Sequence, residues 1–547
     1  MLSSIVASAD PIEINGLYYI LDSTTNQAEL TKSNGSSYRG DIIIPETVTY
    51  NNINYNVTSI GASAFYYCKS LTSVIIPNSV KAIGTSAFSD CSLTSITIPN
   101  SVTKIGGRAF QNCTGLTSIT IPNSVTTVYG YTFSGCSNLS SVNLSNNIKT
   151  LWFEMFRDCT SLETIIIPEG VTFIDENVFY GCTNLTSITF PNSLERLKDY
   201  SLQNTKWFKN KPDGLVYAGN VVFKYKWNGY STPSNTNIIL EEGLKGIAAN
   251  AFNDCRWLTS ISFPESLVAI EIQAFQGCTS LDQIDVPENV IHIGSKAFEN
   301  TKWYNNKPDG LVYAGNVVYC YKGTIPQSII LDEGVKAIAC AAFVGGEELV
   351  SIEIPDGVTY IGDVAFNRCG KLSSIVLPQS ISSIGENTFV NCSSLTNVYC
   401  YAIDVPTAVN YSFDNSYIRN ATLYVPLASI DAYQAVEPWC NFGMIKAIMA
   451  CSTPEISFNN GKVLFSCETE DVEFVPTVTC SPVQTLNGNE LKLGTEFIVS
   501  VYARREGYEN SDVVTKTISL SSVGDIDGDG EVSVTDVTLL VNMILGK

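Results

Sequence analysis

Near the C-terminus, Asp525-Ile526-Asp527-Gly528-Asp529-Gly530 runs on through Glu531 and Ser533 to Asp536, the twelfth position of the stretch. This spacing sets oxygen donors at loop positions 1, 3, 5, 7, 9 and 12 with glycine at the sixth, the arrangement that a hard cation such as calcium requires. Asp525, Asp527, Asp529 and Asp536 would supply carboxylates, Glu531 its main-chain carbonyl, and Ser533 its hydroxyl or a bridging water. Val534, Val537, Leu540, Val541 and Ile544 follow at helical spacing, so the loop opens an amphipathic helix. Calcium is the expected cofactor.

Catalysis finds little support. The only histidine, His292, lies between Ile291 and Ile293 at a position taken elsewhere by Lys104, Thr127 and Ala269, which predicts a variable, exposed site. No triad can be assembled around a second histidine. Most acidic residues fall at turns (Glu169, Glu265, Glu288, Asp356), where solvation accounts for them. The chain is expected not to be an enzyme.

The elements that carry these residues follow from a block of about 23 residues that recurs down the chain. Leu71 opens LTSVIIPNSVKAIGTSAFSDC, and the block returns from Leu93, Leu116, Leu162 and Leu372. A period of this length with L-x-x-I-x-I spacing is the signature of a leucine-rich repeat solenoid. In the copy from Leu93, a short strand turns Leu93, Ile96 and Ile98 inward and Ser95 and Thr97 outward. Pro99 ends the strand. Val102 and Ile105 face in again, and Ala109, Phe110 and Cys113 have the spacing of a brief helical turn. No unit can bury its apolar side alone, so stacking must close the core around a parallel sheet, with short helices opposite. Eleven prolines at strand ends, with Ser145, Glu241 and Asp332 standing where a proline would be expected, count about 14 or 15 rungs.

Seventeen cysteines are present. Cys68, Cys91, Cys113, Cys136, Cys159, Cys182, Cys255, Cys278, Cys369 and Cys392 share one repeat position. Stacking holds their Cβ atoms ~4.8 Å apart, beyond the ~3.5 to 4.5 Å of a disulfide, so they are expected to be buried thiols. Paired C-x-x-C elements and histidine partners for zinc are lacking. Cys451, Cys467 and Cys480 stand off this ladder and are the favoured places for a bridge.

Two longer units interrupt the rhythm. The stretch from Asn204 (NTKWFKNKPDGLVYAGNVVFKYK) returns from Asn300 with 19 of 23 positions identical, and Gly219-Asn220 suits a two-residue hairpin turn. Each, over 204–226 and 300–322, reads as a hairpin projecting from the solenoid, with Trp207 and Trp303 as packing residues. Residues 10–57 read as a β-rich N-terminal cap, 58–400 as the repeat solenoid, and 401–450 as a C-terminal cap. Residues 451–521 alternate like a small β-sandwich. Leu2 to Ala9 ends in Ala7-Ser8-Ala9, an A-x-A pattern, so residues 1–9 read as the remnant of a secretory signal whose start lies upstream.

The repeat with its A-F-x-x-C segment, the tryptophan-bearing insertion and Leu423-Tyr424-Val425-Pro426 resemble the BspA-like leucine-rich repeat family of bacterial surface proteins over residues 10–449. Residues 451–521 resemble the small β-sandwich appended to many secreted bacterial glycan-handling proteins, and 524–547 is similar to one half of a type I dockerin. A complete dockerin has two loop-and-helix units, whereas one is present here. The resemblance implies a non-catalytic secreted or cell-surface protein mediating adhesion or macromolecular recognition. Its partner would be a host or microbial surface protein or a glycan. The alternative it implies is a component of a surface polysaccharide-capture assembly, attached through the dockerin-like tail to a cohesin-like partner.

Composition is compatible with this. With 32 basic against 53 acidic residues the net charge is −21, which repels nucleic acid, and no run of 18 apolar residues offers a membrane span. On the sheet face, outward positions form a uniform column (Ser73, Ser95, Ser118, Ser141, Ser187, Ser260) and a varied one. The varied column runs Ile75, Thr97, Thr120, Asn143, Ile166, Thr189, Ser262, Asp285, Glu353, Val376. Discrimination between partners is expected in the varied column, through Asn143, Ile166, Asp285 and Glu353.

Overall fold

The computed structural model describes residues 10–521 except 36, 228–235, 410, 460–461, 488–489 and 506–507. The expected signal remnant at 1–9 and calcium loop at 525–536 lie outside the described residues. The chain winds into a parallel β-solenoid of about 17 turns with little helix. More turns form than the prolines count, because the cap segments themselves join the stack. Gln27–Thr31 pairs in parallel with Ile53–Ile60, and Thr422–Val425 and Met444–Ala447 continue the parallel ladder after Asn397–Cys400.

Most turns contribute to two parallel ladders, but the first is broken into short sheets of mostly two strands, and the copy from Leu93 forms no strand over 93–98, although Leu93, Ile96 and Ile98 still face inward. The first is built from the L-x-x-I-x-I segment, as where Ser118, Ile119 and Thr120 lie beside Ser141, Val142 and Asn143. The second uses strands of only two residues, Ala82–Ile83 beside Lys104–Ile105 beside Thr127–Val128. Between them lies the core, where Leu116, Ile119, Ile121, Val125 and Phe110 are all buried.

The expected helix opposite the sheet does not form. In the segment ending at Cys113, Arg108 and Asn112 have φ of 58° and 56°, a left-handed setting that a right-handed helix excludes. Their amides turn outward along the stack instead. Arg108 N donates to Gly130 O at 3.0 Å, Phe110 N to Thr132 O at 2.9 Å and Asn112 N to Ser134 O at 2.8 Å, all in the next turn. Ala109, Gln111 and Cys113 bond within their own turn, to residues three positions back. The third side is thus another inter-turn ladder. Its approach is close: a Cβ on Gly106 would lie 2.5 Å from the Thr85 amide nitrogen. Among the described residues, α-helix is confined to Lys206–Lys209, Lys302–Asn305 and Ile430–Gln434.

Stacking of identical turns lines up identical side chains. Phe65, Phe88, Phe110, Phe133, Phe156 and Phe179 form a column with ring centroids 5.0 to 5.7 Å apart and planes within 9°. Beside it, most ladder thiols donate to a phenylalanine carbonyl, Cys113 to Phe88 at 3.0 Å and Cys136 to Phe110 at 3.1 Å, while Cys68 meets Tyr66 O at 3.9 Å. All sixteen described cysteines carry free thiols, including Cys451 and Cys467, where a bridge was favoured. Cys467 Sγ stands 3.1 Å from Ser452 O instead. The side chain of Cys480 lies outside the described set. Burial pushes the Cys136 and Cys182 thiols up to about 12, so the reactive thiolate is scarce in the folded state. Titration with a thiol reagent at neutral pH is therefore expected to find few reactive groups in the native protein and at least the ten ladder thiols after anaerobic denaturation. Ladder disulfides at full occupancy would refute this arrangement.

The two insertions do not project from the stack. Gly214–Ala218 and Val221–Lys226 form an antiparallel hairpin, and the second strand then pairs in parallel with Gly246–Ile247, joining the second ladder. Val317–Lys322 does the same with Ala337–Ile338. The flanking turns still touch, Ala249 N donating to Leu197 O at 3.1 Å and Cys340 N to Ile293 O at 3.0 Å. Trp207 and Trp303 are buried: Trp207 packs against Phe190 and Phe223, and Trp303 against Phe298 and Tyr319. Past the C-terminal cap, Glu473–Asn487, Glu490–Arg504 and Val514–Ser521 form an antiparallel sheet, and Glu455–Asn459 pairs with Lys462–Ser466.

Candidate functional site

The outer face of the first ladder is where the sequence-derived ligand residues stand. Asn143, Ile166, Asp285 and Glu353 are all exposed. They share one column without converging. Asn143 and Ile166 sit in successive turns, whereas Asp285 and Glu353 are parted by the second insertion and the turn of Ser328–Ile330. Asn143 Nδ2 reaches only its column neighbour, Thr120 Oγ1, at 3.4 Å. The hydroxyl column is knit turn to turn: Ser73 donates to Asp41, Ser260 to Asn237 and Ser351 to Ser328, at 2.6 to 3.0 Å.

In the varied column the apolar residues stand out. Ile43, Ile75, Ile166, Ile239 and Ile330 are exposed, from 58 % at Ile75 to 80 % at Ile239. Ile239 and Ile330 stand two residues before Glu241 and Asp332, which take the place of the proline that ends a strand elsewhere. The following E-E-G-L and D-E-G-V match P-E-G-V after Ile167, which puts both isoleucines in register with Ile166.

A second cluster lies on the other ladder and corrects the reading of His292, which is buried rather than exposed. Arg196 Nε donates to Glu271 Oε1 at 2.7 Å, with Glu271 only 2 % exposed. His292 Nδ1 meets the Tyr360 hydroxyl at 3.2 Å. His292 Nε2 stands 3.5 Å from Glu271 Oε1, near enough for electrostatic contact but without hydrogen-bond alignment. The neighbouring outward positions on this ladder are small, Gly246, Ala269 and Ala337, so the larger side chains can lie over them. Burial works against charge on Glu271, yet Arg196 and then His292 hold its carboxyl well below the usual range. Burial lowers His292, and Arg196 adds to the effect, so the imidazole is neutral near pH 7. Edge to edge, these groups bridge turns 68 and 75 residues apart in sequence. They make a buried polar network, and a cavity of about 170 Å³ beside them is walled by Glu195, Val268 and Ile291 as well.

Among the described residues no three metal-ligating side chains converge, and no helix is long and apolar enough to cross a membrane. The six calcium-loop residues from Asp525 to Asp536 remain outside the description.

The chain is similar in fold to several solved repeat proteins. A leucine-rich repeat protein of Bacteroides ovatus is 24% identical, over 80% of this chain and 99% of that one, with a TM-score of 0.33. A leucine-rich cell surface protein of Faecalibacterium prausnitzii is 23% identical over 76% and 94%, with a TM-score of 0.27. The pneumococcal vaccine antigen PcpA is 17% identical over 80% and 98%, with a TM-score of 0.30. No curated protein matches the chain. The model of the BspA-type leucine-rich repeat region matches at residues 46–160, 81–209, 228–307 and 317–434, and the chain belongs to that family.

Proposed function

We propose that this is a non-catalytic, secreted or cell-surface recognition protein that grips a macromolecular partner through the outer face of its first ladder. The observation that carries the reading is the row of exposed isoleucines on that face, since apolar side chains repeated along a solvated sheet mark an interaction surface. Asn143, Asp285 and Glu353 would add polar discrimination between them. Replacing Asn143, Ile166, Asp285 and Glu353 together by serine is expected to leave the fold intact and to abolish attachment to the partner found on a panel of matrix proteins and glycans. Unchanged attachment would place the interface elsewhere on the molecule.

We further propose that Asp525, Asp527, Asp529, Glu531, Ser533 and Asp536 hold one calcium ion, a reading supported by their spacing. Asp525→Ala and Asp536→Ala are each expected to weaken calcium binding sharply by removing a charged oxygen, while chelation leaves the solenoid folded. Calorimetry that detects no uptake at millimolar calcium would sink the site.

A further inference from the structure

The two insertions are near copies, but the turns that precede them have diverged. Thr186, Ser187, Thr189 and Phe190 ahead of the first correspond to Asp282, Gln283, Asp285 and Val286 ahead of the second. In the first, Phe190 packs edge-on against Trp207, with centroids 5.5 Å apart. In the second, valine takes the place of that ring, and Trp303 borders an open groove of about 580 Å³. The groove runs across three turns, Asn237–Ile239, Ser260–Ser262 and Asp282–Asp285. Strand pairing also gives out here. Asn237–Ile239 pairs with Ser260–Ser262 over three residues, whereas the next turn keeps a single bridge, Ser260 to Gln283.

The lining selects among ligands. Asp282 is neutralised by Lys302 Nζ at 2.9 Å and accepts from Asn306 Nδ2 at 3.2 Å. Asp285 is exposed and has no ion-pair partner among the described residues. Ile239 offers an apolar edge that is 80 % exposed. A sugar ring would need an aromatic face to stack on, but Trp303 is 8 % exposed and Lys307 Nζ already stands 4.6 Å over its ring. An anion would meet the net charge of −21, which attracts cations instead.

We propose that this groove binds an extended, arginine- or lysine-bearing segment of a partner protein. The cation pairs with Asp285, bidentate where it is arginine, and aliphatic neighbours of the cation lie on Ile239. The proposal rests on the recognition reading above and names its partner chemistry.

The test uses the full chain and three fluorescein-labelled probes at 0.15 M salt, read by fluorescence anisotropy. The probes are a nonapeptide alternating arginine with leucine, its glutamate-for-arginine counterpart, and a neutral chitohexaose. Only the arginine peptide is expected to bind. Asp285→Asn should weaken it at least tenfold. Ser262→Trp, which obstructs the groove from an exposed strand position without changing charge, should do the same. Glu347→Gln, an exposed turn carboxylate outside the groove, should leave it unchanged. Equal weakening by Glu347→Gln, or none by Ser262→Trp, would mean diffuse attraction to an acidic surface and overturn the site. Failure of the arginine peptide to bind, or saccharide binding that Ser262→Trp removes, would overturn the ligand class. If Ser262→Trp abolishes peptide binding while the four-serine variant keeps partner attachment, the groove stands and the broader recognition reading falls. If the arginine peptide does not bind while the four-serine variant loses attachment, the reverse holds.

Discussion

Glu271→Gln is expected to destabilise the solenoid by about 3 to 5 kcal/mol, the cost of leaving one partner of a buried ion pair unmatched. The carboxylate is only 2 % exposed, and Arg196 Nε donates to it at 2.7 Å while the guanidinium lies 4.5 Å over the Phe173 ring. Without the carboxylate, Arg196 keeps its charge and loses its counterion at a place only partly open to water, its side chain 24 % exposed. Arg196→Met combined with Glu271→Gln should recover a good part of the loss, because the apolar replacement no longer demands a counterion. The shift is read from urea midpoints followed at the solenoid's own aromatic signal. A double variant as unstable as the single one would show that packing, not charge, sets the effect.

The same cluster fixes a pH response. His292 is neutral in the fold with its affinity for protons lowered from 6.5, so the unfolded chain takes up the proton first as the solution is acidified. Its contribution is therefore present above about pH 6.5 and declines as pH falls below that value. Glu271, also depressed, adds its own loss further down, below the ordinary carboxylate range. The groups facing the imidazole are Arg196, Glu271, Asp363 and Tyr360. A His292→Asn variant should show a flatter stability profile between pH 7 and 5 than the parent. An identical slope would assign the acid sensitivity to other residues.

The burial of His292 is not legible in the repeat pattern. Its equivalents Lys104, Thr127 and Ala269 vary, and variation at an outward position is ordinarily a mark of solvent. Burial arises here from non-local partners, Glu271 in the preceding turn and Tyr360 reached past the second insertion, and a repeat pattern has no access to such pairings. The inward residues were legible because period alone specifies them: Leu116, Ile119 and Ile121 are buried as their spacing requires. The second ladder was not, since strands of two residues such as Lys104–Ile105 are too short to display alternation. The misread helix had a visible contrary signal. The residue before each ladder cysteine is repeatedly Asp, Asn or Gly (Asp90, Asn112, Gly135, Asp158, Gly181), the types that best tolerate a left-handed backbone, and all five adopt it. Helical spacing of Phe110 and Cys113 was compatible with a helix, whereas this choice of residues was not. On the ligand face, the columns were legible from strand alternation, but the groove before the second insertion was not, because it depends on how the turn carrying Asp285 diverges from its neighbour.

Phe110→Ala is expected to cost about 3 to 5 kcal/mol, the range for truncating a fully buried aromatic. Phe110 is wholly buried, with Phe88 5.4 Å away on one side and Phe133 5.6 Å on the other, both rings nearly parallel to its own. Alanine would open a gap that neither ring can fill, since each is already fixed by its own next neighbour in the column. The consequence differs from that in a globular core. In a stacked repeat protein, stability is a sum of unit terms and nearest-neighbour terms, so a weak interface at one turn lowers the coupling between everything above and below it. The variant should therefore broaden the unfolding transition as well as shift it, with turns on the two sides of Phe110 melting more independently. Hydrogen exchange makes the distinction. The amides of Phe110 and Asn112, which donate to Thr132 and Ser134, should lose protection first, while those around the column of Phe343, Phe366 and Phe389 keep theirs. A variant as stable as its parent, with unaltered exchange at these amides, would mean that the phenylalanine column does not hold the turns in register.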